Sequence, residues 1–92
     1  MLNITAALAL IQQHLGDTPR AAHSHVVAAL MHHLAGAFEA DAQLWEIVGL
    51  CHDLDFFTIA DDWSQHGLLT IDWLAGQLPD DALRAILACH LD

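Results

Sequence analysis

Eight histidines in a chain of 92 residues are an unusual supply of groups that ligate metals and exchange protons near neutral pH. Four of them, His23, His52, His66 and His90, are separated by 29, 14 and 24 residues, and Asp53 follows His52 directly. On helices turning about 100° per residue, His23 falls in line with Val27, Leu30, Leu34 and Phe38, the stripe expected to be buried. His66 sits above Leu69, Trp73 and Leu74, His90 continues Leu83, Ile86 and Leu87, and His52 lies beside Leu44, Trp45 and Val48. Each of the four is therefore expected to face the core. A single buried imidazole is commonly satisfied by one hydrogen bond. Four imidazoles in one small core are satisfied most economically by a shared cation. His25 and His32 fall roughly 180–200° from the His23 stripe and His33 lies at its margin, which predicts solvated surface for all three.

Asp53 points the same way. It is expected in the last turn of a helix, at the negative end of the helix dipole, where a carboxylate needs positive charge nearby. Adjacent residues diverge by about 100°, so His52 can serve one cation while the two oxygens of Asp53 bridge a pair. Imidazole and carboxylate donors suit one or two divalent ions of Mn, Fe, Co, Ni or Zn, and the absence of thiolates from the set speaks against a structural zinc site. Asp61 and Asp62, beside Trp63, either border a pocket or belong to a solvated loop anchored by the tryptophan.

The elements that must position these groups are helical. Alanine and leucine recur at helical spacing and β-branched alternation is almost absent, giving an all-α, compact bundle of about five helices in a single domain, residues 1–92. A first helix runs from about Thr5 to Leu15, with Asn3 or Thr5 as cap and Gly16 as stop. Thr18 and Pro19 open a second that extends to about Ala37. Asp41 caps a third, Ala42 to about Leu54, which is apolar nearly all round and therefore central. After a loop from Asp55 to Trp63, a fourth helix spans Ser64 to Gln77, and Pro79, Asp80 and Asp81 open the fifth.

Composition sets limits on partners. Twelve acids against two basic residues give a formal charge of −10, which speaks against nucleic acid and against anionic membrane surfaces. A content of 55 % hydrophobic residues rules out disorder and leaves apolar surface for a partner subunit, so a homo-oligomer is expected. Cys51 and Cys89 read as small buried hydrophobes. No signal peptide or membrane span is evident, and the expected location is cytoplasmic.

The ordered set His23-Ser24, His52-Asp53, His66 and His90 resembles the HD superfamily of metal-dependent phosphohydrolases. The likeness extends to Arg20–Ala28 around the first ligand, Ile47–Asp55 around the doublet, Gln65-His66-Gly67, and Ala85–His90, covering roughly residues 18–92. It implies an α-helical bundle with a mononuclear or dinuclear centre. His23, His52 and Asp53 would form the first metal site, with Asp53 bridging and catalytic, and His66 and His90 would hold the second ion. It also implies hydrolysis of a small phosphorylated molecule, with Arg20 receiving the phosphate and Arg84 as a second candidate. Family members usually complete the first site with an aspartate on a further helix. The sequence ends two residues after His90, and Asp92 falls about 200° around the helix from it. A longer chain, a ligand from another subunit or from water, and a degenerate centre remain as alternatives. Asp55 stands where many members have glycine followed by lysine. An HD-type di-iron oxygenase and a non-catalytic helical module are the competing functions.

Overall fold

The computed structural model describes residues 2–60 and 62–88. Its helices are α1 (Ile4–His14), α2 (Pro19–Ala37), α3 (Ala42–Cys51), α4 (Leu68–Leu74) and α5 (Asp80–Ala88), with one 3-10 turn at Trp63–Gln65. No strand occurs among the described residues, so the all-α expectation holds. Asp61, Cys89, His90 and Asp92 lie outside the described residues, and with them the expected placements of Cys89 and His90. No helix among those described is long and apolar enough to cross a membrane.

The helix starts follow from local chemistry. Asn3 Oδ1 accepts the Ala6 N–H at 2.8 Å, Thr18 Oγ1 the Ala21 N–H at 3.3 Å, and Asp41 Oδ1 the Leu44 N–H at 3.1 Å. Each side chain satisfies a main-chain donor that the first helical turn leaves open. Pro19 occupies the first position of α2, where its missing N–H costs nothing.

Two expected boundaries are corrected. α3 ends at Cys51 rather than Leu54, which leaves His52 as its C-cap and Asp53 just beyond it. The helix expected from Ser64 to Gln77 is broken into the 3-10 turn and the shorter α4. The break is at Gly67, whose φ of +86° is left-handed and cannot continue a helix. His66, immediately before it, is in extended backbone and reaches inward from a link rather than from a helical face.

α3 is the centre of the core, as its composition predicts: Ile47, Val48, Gly49, Leu50 and Cys51 are all buried. α1 covers it with Ala7 and Ile11, and α5 with Ala82 and Ile86. α2 does not pack as expected. Its buried residues are Ala21, Ser24, Ala28 and Ala35, while Leu30, Leu34 and Phe38 are 57 %, 45 % and 69 % exposed. The reason is steric. α2 and α3 meet backbone to backbone, and a Cβ on Gly49 would come within 2.7 Å of Ala28 Cα. Only a face of small residues permits that approach, so the small side of α2 is buried and the large apolar stripe is left outside.

Candidate metal centre

The close pairing of α2 and α3 brings the beginning of one helix beside the end of the other, and the polar residues at this junction surround Asp53. Its carboxylate is 3 % exposed. Oδ2 receives a hydrogen bond from Arg20 Nη1 at 3.1 Å, and His52 Nε2 and His23 Nε2 lie 3.2 and 3.8 Å from the same oxygen. His66 Nε2 lies 3.2 Å from the other oxygen, Oδ1. The two carboxylate oxygens thus face different histidines. The positive charge that an acid at a helix C-terminus requires is present as Arg20.

The outward nitrogens define what the inward ones can do. His52 Nδ1 stands 2.6 Å from the Gly49 carbonyl. A carbonyl only accepts, so Nδ1 carries the proton and a neutral ring directs its Nε2 electron pair toward Asp53. His66 repeats the arrangement with Asp55: its Nδ1 is 2.9 Å from Asp55 Oδ1. Ligating histidines commonly give their second N–H to a carbonyl or a carboxylate in this way.

The donor set fits a divalent cation. One ligand atom each from His23, His52 and Asp53 lies within 4.8 Å of the others. Bonds of about 2.0–2.2 Å place neighbouring ligands roughly 3–4 Å apart, and the separations of 3.2 and 3.8 Å at Oδ2 meet that spacing. Without a cation, electron pairs from several acceptors are turned on one another, and protons must fill the gap. His52 reflects this. Burial pushes its pKa down, but the hydrogen bond and charge of Asp53 and the bond to Gly49 outweigh burial and raise it above 6.5. Burial would raise the carboxyl of Asp53, yet His52 and Arg20 hold it well below the usual carboxylate range.

Of the site residues expected from sequence, His23, His52, Asp53, His66 and Arg20 come together. His23 does so from a different setting: its side chain is 49 % exposed, not in a buried stripe, and it closes the solvent side of the cluster. Arg20 lies 4.1 Å above the Phe56 ring, a cation–π contact that holds the guanidinium over Asp53. Trp63 is 57 % exposed and meets the rings of Phe56 and His66 edge-on. His25, His32 and His33 are exposed as expected, and His32 pairs with Glu46 at 2.7 Å.

The sequence reading gave Asp55 only as a departure from the family pattern and did not single out Thr70, yet both are bonded into the support of His66. Asp55 Oδ2 accepts the N–H groups of Gly67 at 2.7 Å and Thr70 at 3.2 Å, and its own N–H donates to Thr70 Oγ1 at 3.1 Å. The available signal was an acid between Leu54 and Phe56-Phe57, since a carboxylate in an apolar run is retained only with buried partners. Comparison of the chain with known protein families, with curated proteins and with solved structures gives no match in any of the three.

Proposed function

We propose that the protein is a metal-dependent phosphohydrolase of the HD type, acting on a small phosphoester or nucleotide. Its support is the convergence of three imidazole nitrogens on the two oxygens of one buried carboxylate, in the ligand order that the sequence resemblance implies. His23, His52 and Asp53 would hold one ion, and Asp53 with His66 would offer donors to a second, with His90 joining them on the strength of the resemblance.

A bound divalent ion supplies two things at such a site, water activated near neutral pH and positive charge for the phosphoryl oxygens. The chain's own residues do the rest. Gly49 and Asp55 hold the rings of His52 and His66 with Nε2 inward. Arg20 gives one N–H to Asp53 and, with its side chain 34 % exposed, keeps further donors for an anionic oxygen. The Phe56 ring backs that guanidinium from one side. His23, half exposed, marks the side from which substrate enters.

Elemental analysis of the purified protein, followed by assay of a generic phosphoester with added Mn²⁺ or Co²⁺, tests the proposal. Turnover that falls at least about 100-fold in Asp53→Ala, with helical circular dichroism retained, is the expected result. Two irons and an absorption change on exposure to oxygen would replace hydrolysis with oxidation. Metal-free protein that no divalent ion stabilises would leave a non-catalytic helical module.

A further inference from the structure

Asp55 is completely buried, and both of its oxygens are committed away from the cation site. Oδ2 is gripped by the main-chain N–H groups of Gly67 and Thr70, which only donate, so the backbone fixes the rotation of the carboxylate. Oδ1 then faces His66 Nδ1 at 2.9 Å, while the other nitrogen of that ring lies 3.2 Å from Asp53 Oδ1. A carboxylate held as an acceptor requires the proton on Nδ1.

We propose that Asp55 is a positioning residue that sets the tautomer of His66, keeping Nε2 as an electron-pair donor beside Asp53. The electron pair on Nε2 rests on the metal reading above, because without a cation Asp53 Oδ1 also accepts from this ring; the bond of Asp55 to Nδ1 does not. The discriminating change is Asp55→Asn, which is isosteric. The two backbone N–H groups require the amide oxygen, and the amide NH2 is thereby turned to His66. An NH2 group donates, so Nδ1 becomes the acceptor and the ring proton moves to Nε2. The imidazole keeps its place but offers Asp53 an N–H, and it no longer has an electron pair for a cation.

The tautomer is read by long-range 1H–15N NMR on the full chain, zinc-loaded and also metal-free at alkaline pH, and ion binding by titration with Mn²⁺ and Zn²⁺. In the native sequence His66 is expected as Nδ1–H. In Asp55→Asn it is expected as Nε2–H, with binding of one ion weakened about 10- to 100-fold. Thr70→Val removes the hydroxyl that receives the Asp55 N–H and loosens the same anchor without altering the carboxylate. It is expected to lower stability while leaving tautomer and ion count unchanged.

An Nε2–H tautomer in the native sequence overturns the proposal, as does an unchanged tautomer in Asp55→Asn. So does a Thr70→Val variant that behaves like Asp55→Asn, because the effect would then be loss of structure. If Asp55→Asn does not fold, the native tautomer and Thr70→Val decide. A native protein that binds no ion yet shows His66 as Nδ1–H sinks the metal reading and leaves the positioning role standing.

Discussion

The charge states of Asp53 and His52 are set by each other, and their effects on stability have opposite signs. Asp53 has a lowered pKa, so it stabilises the fold above the ordinary value of 3.8 and that contribution disappears as pH falls through the folded value. His52 has a raised pKa, so it stabilises below 6.5 and the contribution disappears as pH climbs through the folded value. With a chelator present, the pair therefore supports the fold best between about pH 4 and 6.5, where one is ionised and the other protonated. The Tm of chelated protein should decline as pH is raised above that window, and His52→Gln should flatten the decline. A divalent ion should reverse it, since the cation replaces the proton. A native Tm that is flat across the alkaline side would remove His52 from this account. At this scale the residues that meet around Asp53 were legible, because histidine and an adjacent acid at fixed spacing carry their chemistry in their residue types. Asp55 was not, since its role depends on Gly67 and Thr70 being folded back onto it.

Among the elements, α1, α2 and the start of α3 were readable from their caps, because capping is local and involves residues three apart in sequence. The face that α2 buries was not readable from hydrophobicity. It is decided by the closest approach available on α3, and Gly49 marks that point only once its partner is known. Gly49→Ala is expected to cost about 1–3 kcal/mol or more, because the added methyl meets main chain that cannot step aside. Thr18→Ala, which removes a cap, should cost about 1 kcal/mol. Urea denaturation measures both, and a Gly49→Ala midpoint equal to the native one would refute the contact. Gly67 ends one backbone direction and starts another, which is why a helical period drawn through Ser64–Gln77 misplaces His66 although it faces it inward correctly.

For the whole molecule, the excess of apolar residues inferred from composition reappears as surface. Val26, Leu30 and Leu34 run along α2 outside the core, with Phe38 exposed at its C-cap. Leu30→Glu is therefore expected to change the stability of the folded chain by no more than about 0.5 kcal/mol, whereas Ile47→Ala should cost about 2–5 kcal/mol. A large loss in Leu30→Glu, read from the same denaturation curves, would restore the buried stripe that periodicity suggests. The net charge of −10 is also less uniform than it looks, since α2 carries no acidic residue over its whole length. Two divalent cations would reduce the charge to about −6 and concentrate positive potential where an anionic substrate would arrive.

The antiparallel contact of α2 with α3 has a consequence for kinetics. His23 and His52 are 29 residues apart in sequence, so the cluster cannot assemble until the two helices have docked. A cation held there acts as a reversible cross-link across that loop. Where docking is completed only after the rate-limiting step, interactions gained late slow unfolding and leave the folding rate unchanged. Stopped-flow measurements with and without Mn²⁺ should then place the ion's effect in the unfolding limb, where an ion, if bound, would act as a clasp that lengthens the lifetime of the native state.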